Sequence, residues 1–347
     1  MNVLMLAPLP PPSGGIASWT LRYRDYCQNH NIPLRIVNIA MQGERAESEV
    51  MTKSLKVEFQ RTLMILRDLR KQIADDSPEV VHLNSSCSPL GVIRDALCVF
   101  AIHNKAPIVL HCRCNIEDQL GARLVSRLSF CYMVKRAKKV IVLNKYSLNY
   151  VDKICNGKAF YVPNFANEKM VDDNHFINSE IKNALFVGHI ERAKGIVQIA
   201  EAAKKLPDIQ FTLVGPIRED ISDIKLSPNV SIVGRVPAEE VQQYLKKADV
   251  FIFPSLTEGF SNAILEAMAM GIPVIASDVG ANSDMIEDKG GIILPENTGE
   301  ELYKAVIKIN RQDIRRRMSH WNVQKVKAAY MIDEVMGKYM KLYESVI

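Results

Sequence analysis

Two glutamates with seven residues between them, Glu258 and Glu266, have the type and spacing that could do chemistry. They flank the start of a predicted helix, which begins at Ser261-Asn262 and runs to about Met270. The first backbone N–H groups of a helix have no partners inside it, and with the helix dipole they form an anion site suited to phosphate. Gly259 lets the backbone approach such a ligand closely. Glu266 can accept hydrogen bonds from a ribose diol beside a diphosphate, and Glu258 can meet a sugar hydroxyl.

Solvated charge is the plainer interpretation of this pair, since a helix dipole stabilises carboxylates near its start. The surroundings favour function. An apolar run at 250–253 precedes the pair, an apolar helix face lies beside it, and Gly271 and Pro273 end the helix. We therefore interpret the pair as part of a ligand site.

Short apolar runs alternate with helical patterns along the whole chain, which predicts βαβ units and an α/β fold. These runs are apolar on both faces, as strands of a covered parallel sheet must be. They lie at 3–7, 34–39, 80–83, 108–110 and 140–143, and then at 184–187, 211–214, 230–233, 250–253, 273–276 and 291–294. A strand end at Pro163-Asn164 and a polar stretch at 167–183 separate the two halves. Segment 323–347 is amphipathic at helical spacing.

The length and composition of the chain indicate a two-domain globular protein that needs no disulfides. The chain has 347 residues and a net charge of +5, and its seven cysteines show no framework spacing. Cys112-x-Cys114 lacks the second pair that a metal site would need. No zinc-finger spacing and no apolar run of ~20 residues occurs, and 1–6 reads as a strand rather than a signal peptide. We expect a cytoplasmic protein without nucleic acid partners.

The long motif EGFSNAILEAMAMGIPVIASDVG, from Glu258 to Gly280, resembles the signature of glycosyltransferase family 4. The resemblance is strongest over about 184–295. It implies a retaining enzyme of the GT-B fold, which has two Rossmann-like domains with parallel sheets facing a central cleft. It also implies an acceptor-binding domain at 1–166 and a nucleotide-sugar-binding domain at 167–322. A last helix at about 323–347 would cross back to the first domain.

Family roles carry over to the glutamate motif residue by residue. The resemblance implies that Glu258 contacts the donor sugar as a catalytic residue and that Glu266 binds the ribose. The backbone beside the diphosphate would be that of Gly259, Phe260, Ser261 and Asn262. Gly234, Arg235 and Val236 also match the family, where this segment lines the base.

A basic loop, 188–195, resembles the family's G-R-x(4)-K-G segment. Lys194 matches the family lysine, and a fixed cation there would stabilise the departing diphosphate. Gly188 opens the loop, and His189 stands where the family usually has Arg, so the permanent charge and its two-pronged hydrogen bonding are lost. Arg192 is a candidate replacement for that guanidinium. A solvated loop charge is the alternative for Lys194 and for Arg192.

The first half offers weaker signals. Gly14 and Gly15 lie in a glycine-rich turn between strand and helix, which can approach a phosphate or the reacting sugar. Gly15 is a candidate for donor binding and Gly14 a candidate for acceptor binding. Near the end of the strand at 108–110, two registers remain open for the family's functional histidine position, which either His111 or Arg113 would fill. Both are therefore candidate catalytic residues. His82 and Asn84 end a neighbouring strand and are candidates for acceptor binding.

No Asp-x-Asp motif occurs, so we expect no metal cofactor, with the nucleotide sugar as a substrate. A basic amphipathic segment combines Arg123, Arg127, Lys135, Arg136, Lys138 and Lys139 with Leu124, Val125, Leu128, Phe130 and Met133. Such a segment suits an anionic membrane surface, at the inner face of the cell membrane, or is simply a helix with a solvated basic end.

The resemblance implies transfer of a sugar from a UDP- or GDP-sugar to a carbohydrate or lipid-linked acceptor in bacterial surface polysaccharide synthesis. Two other functions stay open. A nucleotide-sugar epimerase of the same fold would convert the donor without an acceptor. A non-catalytic sensor, suggested by His189, would bind the nucleotide sugar without turnover.

Overall fold

The computed structural model describes residues 1–11, 14–40, 55–102 and 104–347. The chain divides into two compact units. The N-terminal unit contains Met1–Pro163 and Met336–Ile347, and the C-terminal unit contains Asn164–Val335.

A six-stranded parallel sheet forms the centre of the N-terminal unit. Its strands are β1 Val3–Ala7, β2 Leu34–Asn38, β3 Val80–Ser85, β4 Ile108–Cys112, β5 Lys139–Val142 and β6 Ala159–Tyr161. Its helices are α1 Gly15–Asn29, α2 Leu55–Asp75, α3 Pro89–Ile102, α4 Ile116–Leu120, α5 Leu124–Arg136 and α6 Lys145–Ile154. The strand order is β2-β1-β3-β4-β5-β6, so the direction of winding reverses between β1 and β3.

Alternate residues of these strands face different environments. Leu4, Val81, Leu83 and Leu110 point into an apolar core that also contains side chains of α2, α3 and α5. The opposite face carries His82 and His111, which contact aromatic rings of α1 and of the last helix of the chain. Polar side chains therefore collect on one face of the central strands.

The C-terminal unit contains a second parallel sheet of six strands. Its strands are β7 Asn183–Val187, β8 Gln210–Val214, β9 Val230–Gly234, β10 Val250–Phe253, β11 Val274–Ser277 and β12 Gly291–Leu294. Its helices are α7 Ile196–Lys204, α8 Ala238–Lys247, α9 Asn262–Ala269, α10 Asn282–Ile286, α11 Gly299–Lys308 and α12 Gln312–Ala329. The last helix, α13 Ile332–Glu344, begins in this unit, and from Met336 onward it belongs to the N-terminal unit. The order β12-β11-β10-β7-β8-β9 is the Rossmann order, with its reversal between β7 and β10.

The eleven apolar runs all correspond to strands, within two residues at each end. The edge strand β6 was not among those runs, since its three residues are half-buried or exposed rather than enclosed on both faces. The single helix expected at 323–347 is wrong. Its segment contains the end of α12 and the whole of α13. The helix breaks because the carbonyl of Tyr330 and the N–H of Ile332 both pair with the backbone of Ala166.

Candidate active site

Two loops meet where the winding of the C-terminal sheet reverses. One follows β7 and the other follows β10, and the N–H of Leu256 donates to the carbonyl of Ala193 at 2.8 Å. Gly195 has φ +84°, and a Cβ atom there would lie 2.0 Å from the carbonyl oxygen of Pro254. Only glycine permits this approach, because a side chain would occupy the space of the neighbouring backbone.

The approach of the loops brings Lys194 to Glu258. Lys194 Nζ lies 2.6 Å from Glu258 Oε1 and donates to the carbonyl of Thr257 at 3.3 Å. The hydroxyl of Ser255 donates to the same carboxylate oxygen at 3.1 Å. Lys194 and Glu258 are 20% and 14% exposed. Sequence reasoning named both residues, whereas nothing in the motif indicated Ser255.

The start of α9 is fixed by side chains on both sides. Ser261 caps it by accepting a hydrogen bond from the N–H of Ile264 at 3.3 Å, at the helix start expected from the sequence. Asn164 Nδ2 donates to Asn262 Oδ1 at 2.7 Å. Phe260 is buried and packs edge-on against Tyr330. These contacts hold the first-turn N–H groups of the helix in place.

The remaining motif residues lie close to this helix start. Glu266 is half-buried in the second turn of α9. Gly259 follows Glu258, and the loop after β11 packs against both, since a Cβ atom on Gly280 would lie 2.4 Å from the carbonyl oxygen of Glu258. The backbone at 258–259 is therefore held from two sides.

His189 stands in a field of positive charge. Its pKa is lowered by partial burial and then by the nearby cations Arg218 and Lys194, with Glu258 opposing them. Backbone pairing holds Arg218 next to the loop, because its N–H donates to the carbonyl of Ile190 at 3.1 Å. Arg218 belongs to no motif, so sequence reasoning missed it.

Arg192 is held elsewhere. Its exposed guanidinium bonds to Glu219, to the carbonyl of Asp220 at 2.7 Å and to Asp223. The structure therefore does not bring Arg192 to the Lys194–Glu258 pair, and Arg218 is the guanidinium beside His189.

The other predicted donor-site glycines lie at the ends of neighbouring strands. The N–H of Gly188 donates to the carbonyl of Val214 at 3.0 Å, and the carbonyl of Gly234 accepts from the N–H of Gly215 at 2.9 Å. Arg235 is exposed and Val236 is half-buried beyond β9. These residues line the same edge of the sheet as the two loops.

In the N-terminal unit, Gly14 and Gly15 are exposed at the start of α1. The carbonyl of Gly14 accepts from the N–H of Ser18 at 2.9 Å, and the space that a Gly14 Cβ would take is open. Pro12 and Ser13 of the same turn lie outside the described residues. Asn84 is buried on β3, and its Nδ2 lies 3.5 Å from the carbonyl of Leu6.

A hydrogen-bonded chain of side chains runs through the same unit. Arg113 Nη1 lies 3.2 Å from His111 Nε2, and His111 Nδ1 lies 3.1 Å from His82 Nε2. His82 Nδ1 bonds to the hydroxyl of Tyr343, which lies 2.9 Å from the hydroxyl of Tyr23. The two histidines and two tyrosines are fully buried.

Arg113 sets the direction of this chain. A guanidinium can only donate, so His111 Nε2 accepts and its proton lies on Nδ1. The same logic places the His82 proton on Nδ1, facing the oxygen of Tyr343. Both histidines are therefore neutral, and burial followed by the charge of Arg113 lowers the pKa of His82 to about 3 and that of His111 well below its usual value.

The structure separates the two alternatives for the functional position at β4. His111 lies within the strand with no exposed surface, and both of its ring nitrogens are engaged. Arg113 follows the strand end and retains 9% exposure. Of the two, only Arg113 retains exposed surface.

The part of the chain that the structure describes offers neither a metal-binding cluster nor a membrane-spanning helix. No group of three or more His, Cys, Asp or Glu side chains there is arranged to hold a metal ion. Within the same residues, every helix is too short or too polar to cross a membrane.

Comparison with known proteins finds a family model that is similar to part of the chain. Residues 181–312 match the family model described as "Glycosyl transferases group 1". An uncharacterized glycosyltransferase of Methanocaldococcus jannaschii is 25% identical over 63% of this chain and 62% of its own length. An Escherichia coli UDP-Gal:alpha-D-GlcNAc-diphosphoundecaprenol alpha-1,3-galactosyltransferase is 28% identical over 45% and 44%. The chain thus covers less than two thirds of the length of each of these relatives.

Solved structures match along the whole chain. Sucrose-phosphate synthase from Thermosynechococcus elongatus has a TM-score of 0.83 at 17% identity, with 99% of each chain covered. HepE of Anabaena, in complex with UDP and glucose, has a TM-score of 0.74 at 15% identity, covering 99% of this chain and 100% of its own. The predicted GT-B fold is confirmed.

The buried histidines predict a pH dependence of stability. In the unfolded chain they titrate near 6.5, so below that pH the unfolded chain binds protons that the folded chain does not. The free energy of unfolding should fall as pH drops through 6.5 toward 3. Denaturant unfolding at pH 7.5 and 5.5 should show that His82→Gln removes about 1.4 kcal/mol of this fall. The exposed His30 provides the control, since His30→Gln should retain it in full.

Gly195→Ala tests the contact that joins the two loops. Gly234→Ala is the matched control, because Gly234 has the same φ of +84° but open space where a Cβ would lie. Each variant should lose about 1 kcal/mol through backbone strain. Gly195→Ala should lose about 1–3 kcal/mol more through its clash with Pro254, measured by denaturant unfolding. Equal losses in the two variants would contradict the role given to this contact.

Proposed function

We propose that this chain is a retaining glycosyltransferase that moves a sugar from a UDP- or GDP-sugar to a carbohydrate or lipid-linked acceptor. The observation that carries the proposal is the Lys194–Glu258 pair beside the capped start of α9, at the switch point of a Rossmann sheet. In open α/β sheets, ligands bind at such a point, beyond the carboxyl ends of the strands. Cations and helix N–H groups there suit a diphosphate.

Each side chain then has a defined task. The first-turn N–H groups of α9 and Lys194 hold the diphosphate, and Glu266 accepts hydrogen bonds from the ribose. Glu258 binds a hydroxyl of the donor sugar while orienting Lys194, to which it is bonded at 2.6 Å. Arg218 supplies the positive charge that His189 lacks, since it lies among the cations that lower the pKa of that ring.

The transfer exchanges one bond for another. The bond between the anomeric carbon and the diphosphate oxygen breaks, and the acceptor oxygen joins that carbon from the same face. The acceptor proton passes to the departing phosphate, so no enzyme base is required. Lys194 stabilises the charge that develops on the diphosphate. No metal ion has a role in this scheme.

The names of related proteins support the substrate classes. The Escherichia coli relative is named as a UDP-galactose-dependent enzyme that acts on a diphosphoundecaprenol-linked sugar, and HepE was solved with UDP and glucose. Two further relatives are named for amylovoran and teichuronic acid biosynthesis. By analogy we place this chain in the assembly of a bacterial surface polysaccharide.

Substitutions at the pair and at the ribose position test this function. Lys194→Met should lower kcat by about 10²–10³-fold, because it removes a fixed cation from the departing diphosphate. Glu266→Gln should weaken nucleotide binding by about tenfold, because it removes a charged acceptor. The exposed Lys204 gives the control variant Lys204→Met, which should behave as wild type.

Donor screening with and without acceptor separates the rival functions. UDP- and GDP-sugars are first ranked by thermal shift and then incubated with lipid-linked acceptors. Transfer that requires acceptor supports the proposal. Conversion of the donor without acceptor would identify an epimerase, and binding without turnover would identify a sensor.

We also propose that the amino end of α5 contacts the inner face of an anionic membrane. Leu124, Val125 and Leu128 are 69%, 61% and 60% exposed, and the exposed Arg123 and Arg127 lie among them. Phe130 and Met133 are buried instead, so only the first two turns present apolar surface. Apolar side chains flanked by cations suit the headgroup region of an anionic bilayer.

Vesicle sedimentation tests the membrane contact. The protein should bind phosphatidylglycerol vesicles better than phosphatidylcholine vesicles, and less at high salt. The double variant Leu124→Ser, Leu128→Ser should reduce this binding several-fold, because both apolar side chains that would be buried in the bilayer are lost. Phe176, which is 75% exposed in the C-terminal unit, supplies the control Phe176→Ser. An equal loss of binding in Phe176→Ser would contradict a specific contact between α5 and the membrane.

A further inference from the structure

Arg113 combines charge, deep burial and an incomplete set of partners. Its side chain is 9% exposed, and its guanidinium lies 4.3 Å from the centre of the Trp19 ring. One N–H group donates to His111, but the Nε–H group is buried without an acceptor among the described residues. A buried cation is costly unless an anion compensates it.

No carboxylate within 1–11, 14–40, 55–102 and 104–347 forms an ion pair with Arg113. Burial lowers the pKa of Arg113 to about 10, with Tyr339 opposing and the second cation Arg22 adding to the effect. Arg113 therefore stays charged at neutral pH, with another guanidinium nearby rather than a counter-ion. The described part of the unit supplies a positive site and leaves the negative partner to a ligand.

The location of Arg113 suits a ligand. It directly follows the carboxyl end of β4, next to β3, on the side of the sheet where ligands of such folds bind. Asn84 lies on β3 opposite His111, and its buried Oδ1 also lacks a hydrogen-bond donor among the described residues. A hydroxyl beside the anion could fill that place.

We propose that Arg113 receives an oxyanion, a phosphate or a carboxylate, carried by the acceptor, and that His111, His82 and Tyr343 position it. The chain of hydrogen bonds reaches Tyr343 on α13, whose hydroxyl also bonds to Tyr23, and it fixes both imidazole rings, so that His111 Nε2 holds one edge of the guanidinium. Trp19 supports its face. That the anion belongs to an acceptor rests on the proposed function; the anion site itself does not.

Trp19 gives a direct readout of this site. The chain has two tryptophans, so Trp321→Phe leaves Trp19 as the only one. Titration with inorganic pyrophosphate and with glucuronate should change Trp19 fluorescence in a saturable way. Tighter binding of pyrophosphate assigns the site to a phosphate-linked acceptor, and tighter binding of glucuronate assigns it to an acidic sugar. Absence of saturation with both would overturn the proposal.

Two variants show where the anion binds. Arg113→Gln should weaken the titration at least tenfold, whereas Lys194→Met in the other unit should leave it unchanged. If Lys194→Met abolished the signal, or Arg113→Gln kept it, the assignment to Arg113 would be wrong. Should Trp321→Phe fail to fold, the difference between wild type and Arg113→Gln, each with both tryptophans, gives the same comparison.

The positioning role has a matched pair of variants on α13. Tyr343→Phe removes the hydroxyl that bonds to His82, whereas Tyr339→Phe removes an equally buried hydroxyl that has no hydrogen-bond partner among the described residues. Tyr343→Phe should raise the pyrophosphate Kd and the acceptor KM about fivefold, with the donor KM unchanged. Identical behaviour of the two variants would refute positioning through the chain.

The two proposals fail independently. The fluorescence titration needs no turnover, so pyrophosphate binding at Arg113 without any sugar transfer would overturn the enzyme function and support the site. Sugar transfer by Arg113→Gln with a normal acceptor KM would support the enzyme function and overturn the role of Arg113 in acceptor binding.

Discussion

The close approach of two backbone segments, Gly195 against Pro254, is the constraint on which the C-terminal site depends. At this distance the loops after β7 and β10 share the hydrogen bond between Leu256 and Ala193, and Lys194 reaches Glu258. Neither loop alone would hold a lysine at a defined point, since its flexible side chain loses entropy on ordering. The reversal of strand order leaves space between the two loops. Gly195 lets their backbones come into contact there.

The two units differ in the groups that surround the cation of each candidate site. In the C-terminal unit, Lys194 is neutralised by Glu258, so in the proposed function a diphosphate has to compete with a carboxylate that is already in place. In the N-terminal unit, Arg113 meets an aromatic ring and a neutral imidazole instead. The first arrangement includes two partly exposed side chains, which leaves each of them open to a ligand. The second is rigid, because every group that touches the guanidinium is buried.

Much of this fold follows from the sequence, because strands enclosed on both faces produce unbroken apolar runs. The short edge strand β6 has no such apolar run. The break between α12 and α13 depends on backbone pairing with Ala166, which is distant in sequence. The glutamate motif and Lys194 could also be identified from the sequence, since each is defined by spacing within a short segment of the chain. Arg218, Ser255 and the chain from Tyr343 to Arg113 were not, because each joins residues that only the folded sheet brings together.

The last helix explains why a polar chain can lie in this interior. A buried imidazole without partners is unfavourable, and His82 faces the gap between α1 and α13. Tyr343 places an aromatic ring in that gap, and its hydroxyl bonds to both His82 and Tyr23, so both ring nitrogens of His82 are satisfied. The buried face of α13, which includes Met336, Tyr339 and Tyr343, therefore has a chemical as well as a packing function. Through two histidines, its tyrosine determines the orientation of an arginine at the far end of the strands.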